Sequence, residues 1–226
     1  MLPDVIVLGD SHCNALVDGC HAHGLKAEML RFSGNFWHTG QVSLHADHGI
    51  WINRPKRLQD EILALRERLG GRSVLSPDVP VLATMGFHLG RFVPPFGIMG
   101  HVTDQRHFDA EPDALYASRA MVNAYIGAYR GTHIRMARRM DRMARVVMVA
   151  PPLCHDRPNL RTFFDSVLAR MRAVNLTVYD PNGDLPRQDG VLDPAYVTED
   201  GAHGNARYGA EVIGKLIEQG LLARAG

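Results

Sequence analysis

Pro3-Asp4-Val5-Ile6-Val7-Leu8-Gly9-Asp10-Ser11-His12-Cys13-Asn14-Ala15-Leu16 passes from an aliphatic run to helical spacing within a few residues. Residues 5–8 have the composition of a parallel strand covered on both faces, and Gly9-Asp10 punctuates the run. Cys13, Leu16, Val17 and Cys20 then recur on one helical face. Ser11 therefore falls near a helix amino terminus, where N–H groups without intrahelical partners and the positive end of the helix dipole favour negative charge. A serine that attacks a carbonyl needs such a place, and a serine that merely caps a helix occupies it equally well.

Outward from this stretch, strand and helix patterns alternate five times. Residues 25–32 read as a second strand, 80–85 as a third, 145–150 as a fourth stopped by Pro151-Pro152, and 176–179 as a fifth. Residues 57–69 carry Leu58, Ile62, Leu65 and Leu69 on one stripe, with Gly70-Gly71 as the stop. Residues 159–173 also read as helix, and Asn205 caps a last one with Tyr208, Val212, Ile213, Leu216 and Ile217 on its apolar face. Residues 114–143 are helical by composition, with Gly127 and Gly131 as candidate breaks. Arg130, Arg135, Arg138, Arg139, Arg142 and Arg145 there read as a solvated outer face. Residues 40–51 look irregular, 91–112 aperiodic and 180–194 a polar connection. This alternation predicts an α/β protein, residues 1–226 forming one domain around a parallel sheet of about five strands.

Composition narrows the functions. A chain of 226 residues, 46% hydrophobic, can bury a substantial core. A formal net charge of +1 argues against a nucleic-acid binder. The three cysteines, at 13, 20 and 154, form neither a disulfide framework nor a zinc-type pair, so reduced thiols and no cofactor are expected. His45 and His48 with Asp47 raise metal binding, but nothing completes a ligand set, and a substrate-lining or solvated loop is the simpler reading. No charged leader precedes the first strand and no apolar run is long enough to span a bilayer, from which a cytoplasmic location is expected.

Near the other end lies Thr198-Glu199-Asp200-Gly201-Ala202-His203-Gly204-Asn205, an aspartate three residues before a histidine in a glycine-rich loop. That is a base with its orienter. Gly9-Asp10-Ser11 followed by a distant Asp200-x-x-His203 resembles the SGNH, or GDSL-type, serine hydrolase superfamily, in order and position, across nearly the whole chain. The resemblance implies a three-layer, flavodoxin-like α/β/α sandwich and a triad of Ser11, His203 and Asp200. It also implies an oxyanion hole using the N–H groups of Ser11 and Gly34, the glycine in Ser33-Gly34-Asn35-Phe36-Trp37-His38 after the second strand. The superfamily has asparagine where this chain has His88, in Gly86-Phe87-His88-Leu89-Gly90. His88, or Asn35 from the neighbouring turn, is the candidate side-chain donor. Trp37 and Phe87, with Phe36, Trp51, Phe92 and Phe96, are candidate substrate walls.

The implied function is an esterase acting on a short acyl ester, on a carbohydrate or another small molecule, with no metal. Two alternatives stand beside it: a degenerate binding module on the same fold, signalled by His88, and an O-acyltransferase passing the acyl group to a sugar hydroxyl. The adjacent Cys154-His155 suggests a thiol nucleophile, but sequence neighbours rarely align for proton transfer. The G-x-S-x-G elbow of α/β-hydrolases is absent.

Overall fold

The computed structural model describes residues 2–87, 101–102, 115–155 and 158–223. In chain order the elements are β1 (Val5–Gly9), α1 (Cys13–Ala22), β2 (Ala27–Arg31), the short α2 (Gly34–His38), β3 (Val42–His45), β4 (Gly49–Ile52) and α3 (Lys56–Arg68). Then come β5 (Val81–Ala83), β6 (His101–Val102), β7 (Leu115–Tyr116), α4 (Arg119–Met140), β8 (Val146–Val149), α5 (Pro158–Ala173), β9 (Thr177–Tyr179), β10 (Arg187–Gln188), β11 (Val191–Leu192) and α6 (Ala206–Glu218). Five strands form the central sheet in the order β2-β1-β5-β8-β9, and every pairing is parallel.

Side chains alternate across a strand, so each one feeds both faces of the sheet. Ile6, Leu8, Val81, Ala83, Val146 and Met148 pack with α3, α4 and α5, whereas Val5, Val7, Leu82, Val147 and Val149 pack with α1 and α6. Covering on both faces explains why the strands read as unbroken aliphatic runs. The sheet order places a topological switch point between β1 and β5, where connections leave in opposite directions and open a crevice at the strands' carboxyl ends. Ser11 follows β1 at that crevice.

Several segments differ from the sequence reading. Residues expected to be irregular form the antiparallel hairpin β3–β4, in which Val42 pairs with Ile52 and Leu44 with Ile50. Leu115–Tyr116 pairs with His101–Val102 rather than beginning a helix, and α4 starts only after Ser118, whose hydroxyl accepts from Met121 N–H at 3.2 Å. The helix runs unbroken through Gly127 and Gly131. Arg130 is not on a solvated face: it is 1% exposed, its guanidinium lies against the carbonyls of Phe87 and Tyr129, and burial lowers its pKa to about 10. It still carries its charge at neutral pH. Residues 180–194, expected to be a polar connection, contain the 3-10 turn Pro181–Gly183 and the ribbon β10–β11, and a second 3-10 turn, Pro194–Tyr196, follows. Among the described residues no helix is long and apolar enough to cross a membrane.

Candidate active site

The turn after β1 is fixed from below. Gly9 has φ +154, and a Cβ there would lie 2.1 Å from Thr84 Oγ1, so only glycine lets the chain pass this close to the end of β5. Thr84 is buried and bonds twice to Asp10, accepting from Asp10 N–H and donating to Asp10 Oδ1, each at 3.1 Å. Asp10 Oδ1 also accepts the His12 N–H at 3.2 Å. The buried aspartate thus supports the helix entrance, which leaves the Ser11 hydroxyl for another partner.

That partner is His203. Ser11 Oγ lies 2.7 Å from His203 Nε2 across 192 residues of sequence, and His203 Nδ1 lies 2.7 Å from Asp200 Oδ2. Asp200 is ringed by donors from its own loop: Thr198 Oγ1 at 2.5 Å, Ala202 N–H at 2.8 Å and His203 N–H at 3.2 Å. The Thr198 hydroxyl first, then the Ala202 N–H and His203, hold the Asp200 carboxyl well below the usual carboxylate range. An ionised Asp200 accepts a hydrogen bond from Nδ1–H, which keeps the proton on Nδ1 and leaves Nε2 as the lone-pair nitrogen facing Ser11. The loop is closed by an isolated antiparallel bridge between Val197 and Gly204, and the Asn205 side chain caps α6 by accepting from Tyr208 N–H.

Helices α1 and α6 bring the two ends together. A Cβ on Gly209 would lie 1.7 Å from the Ala15 carbonyl oxygen, and one on Gly19 would lie 2.2 Å from the Gly209 carbonyl. The helices therefore meet backbone to backbone, and this seam sets how near the loop before α6 comes to the turn before α1.

The other candidates divide. Gly34 is buried and opens α2 just beyond β2. Trp37 is 4% exposed; its indole N–H donates to Gly9 O at 3.3 Å and its ring lies 5.6 Å from Phe32, so it braces the turn after β1 and packs in the core instead of walling a substrate. Phe87 is fully buried against Phe164 and is likewise core. His88, Phe92 and Phe96 lie outside the described residues, as does the Asn35 side chain. His45, His48 and Trp51 stack at ring separations of 4.6 Å, and Arg66 donates to His48 Nδ1 at 2.9 Å. Among the described residues no three ligand-type side chains are grouped to hold a metal ion. Cys154 is half-buried, and desolvation first, then the Asp200 charge, pushes its thiol up to about 11. A protonated thiol is a poor nucleophile, which weakens the cysteine reading.

Thr84, Thr198, Gly19 and Gly209 did not stand out in the sequence. A hydroxyl ending an aliphatic strand, a threonine two residues before the aspartate and glycines inside helices are the signals that mark them.

No protein-family model and no curated protein sequence matches this chain. Solved structures do. A protein from Streptococcus pneumonia, provisionally described as a platelet activating factor, superposes with a TM-score of 0.52 at 14% identity, over 97% of this chain and 84% of that one. The lipase/acylhydrolase from Enterococcus faecalis matches over 98% of both chains at 16% identity, with a TM-score of 0.46. A GDSL-like lipase from Bacteroides thetaiotaomicron matches over 96% of this chain and 86% of that one at 14% identity, with a TM-score of 0.45. The superposition on the Streptococcus pneumonia protein shows a shared α/β fold over nearly the whole chain.

Proposed function

We propose that this protein is a serine esterase that cleaves a short acyl ester of a carbohydrate or other small molecule. The observation that carries the reading is the relay from Ser11 Oγ through His203 to Asp200, with both links at 2.7 Å. A serine bonded to a base, and the base bonded to a carboxylate held ionised, is the arrangement that activates a hydroxyl for attack.

The reaction follows from these contacts. His203 Nε2 takes the Ser11 proton as Oγ bonds to the ester carbonyl carbon, and Asp200 stabilises the imidazolium that forms. The carbonyl oxygen becomes an oxyanion received by the N–H groups of Ser11 and Gly34, with a side chain at position 88 or 35 as the further donor. One such donor is worth about 2.7–4 kcal/mol of barrier. His203 then returns its proton to the departing alcohol, and a water deprotonated by the same nitrogen releases the acid from the acyl-enzyme.

The intact relay speaks for chemistry over a degenerate binding module, and acyl transfer differs only in what attacks the acyl-enzyme. The test is to treat the protein with a fluorophosphonate and to follow a short-chain aryl ester with and without a competing alcohol. Ser11 is expected to be labelled and Ser11→Ala to be unlabelled and inactive; wild-type turnover with Ser11 unlabelled would sink the assignment. An ester product appearing with the added alcohol at the expense of free acid would mark a transferase.

A further inference from the structure

The His203 ring has a neighbour besides Ser11 and Asp200. The ring of His12, the residue after the nucleophile, lies 4.8 Å from it between centroids, tilted by 44°. His12 is half-buried at the N-cap of α1, and its backbone N–H is tied to the Asp10 carboxylate that Thr84 also holds. Its backbone thus belongs to the rigid side of the site.

His203 needs such a wall. Its other restraint, Asp200, has a side chain 53% exposed, so water competes for the imidazole N–H. Rotation of the ring about Cβ–Cγ would carry Nε2 away from Ser11 Oγ, and an aromatic terminal torsion is broad unless packing narrows it. A ring 4.8 Å away, tilted by 44°, narrows the space for that swing. At 4.8 Å between centroids its π system also lies within reach of the imidazolium present during attack, an interaction stronger with the cation than with the neutral base.

Given the reading of Ser11, His203 and Asp200 as a catalytic unit, the geometry points to His12 as a positioning residue whose ring holds the base in line between nucleophile and carboxylate. The ring, not its nitrogens, is the active feature. Its contribution grows as the base becomes charged, so it belongs to kcat and not to KM.

The experiment compares His12→Ala, His12→Leu and His12→Phe on an aryl ester, with fluorophosphonate labelling of Ser11 and a thermal melt for each. His12→Ala and His12→Leu are expected to lower kcat about tenfold, or about 1.4 kcal/mol of barrier, with KM changed less than about twofold. His12→Phe is expected to recover most of the loss, and labelling rates are expected to follow kcat. If the alanine variant does not fold, leucine against phenylalanine decides, since both fill the space and only one has a ring. Equal rates for these two, or a near-normal alanine variant, would overturn the role. Wild-type protein that hydrolyses the ester with Ser11 unlabelled would instead remove the catalytic unit itself, and the role of His12 with it.

Discussion

The two halves of the site are held by different means. On the Ser11 side Asp10 and Thr84 are each 2% exposed and bond across 74 residues of sequence, so the turn is anchored in the core. On the His203 side the donors to Asp200 come from residues 198–203, and half of that carboxylate's surface is open to solvent. One half is a tertiary construction and the other a local one. The local loop carries its own geometry wherever it is placed, but the Ser11 turn exists only if β1 and β5 are already paired. What makes the halves one site is the α1–α6 seam at Ala15, Gly19 and Gly209.

Removing either end of the link between the halves gives the largest effect. Ser11→Ala and His203→Ala are each expected to lower kcat by roughly 10⁴–10⁶-fold, and the double variant to be no worse than the single ones. Losses that multiply in the double variant would mean that the 2.7 Å contact between Ser11 and His203 is not a working unit.

Opening the seam comes next. Gly209→Ala puts a methyl group where the Ala15 carbonyl stands, a backbone atom that cannot step aside, so the helices must part. A destabilisation of about 3 kcal/mol is expected, read as a lower urea midpoint at unchanged slope. A displacement near 1 Å at the site costs on the order of 10²-fold in kcat for the variant that remains folded. Gly127→Ala is the control, because its Cβ would meet only the flexible end of Arg170, at 3.5 Å. That variant is expected to be neutral or slightly stabilised. If both behave alike, the seam does not set the spacing of the two halves.

The same contrast explains what could be read in the sequence. The five strands, the terminal helices and the loop that brings His203 and Asp200 to Ser11 are legible because parallel strands announce themselves as aliphatic runs and the loop motif is local. The hairpin β3–β4 was hidden because two exposed or half-exposed histidines sit in and beside its turn, while the alternation of Val42, Leu44, Ile50 and Ile52 is short. Arg130 shares a basic run with solvated arginines, and only the packing of α4 shows that it turns inward. Trp37 and Phe87 follow strand ends, where aromatic residues wall sites, yet both are spent on the core. Thr84 reads in the sequence merely as part of a strand, since the carboxylate it holds is its neighbour only once the sheet forms.

The smallest effect probes the local half alone. Thr198→Val keeps the β-branched shape and removes the hydroxyl that donates to Asp200 Oδ1 at 2.5 Å, while the Thr198 N–H bond to His203 O at 2.9 Å is unaffected. The hydroxyl is the largest of the influences that lower the Asp200 pKa, so the variant's carboxyl moves up toward its ordinary range. Asp200 remains ionised at neutral pH in both proteins, and His203 keeps its partner. A loss of only about three- to tenfold in kcat is therefore expected at neutral pH, in line with one weakened orienting contact. The sign of the pH effect follows from the direction of the shift. A carboxyl depressed by folding stabilises the native state above its unfolded pKa of about 3.9, and that contribution is lost as pH falls through the folded value. The variant has less of it to lose, so the gap in Tm between wild type and Thr198→Val should be widest above about pH 4 and close as the pH is lowered further. Melts across that range, with kcat measured alongside, check both. A gap that widens toward acid would mean the hydroxyl acts on something other than Asp200, and the loop would no longer count as self-sufficient.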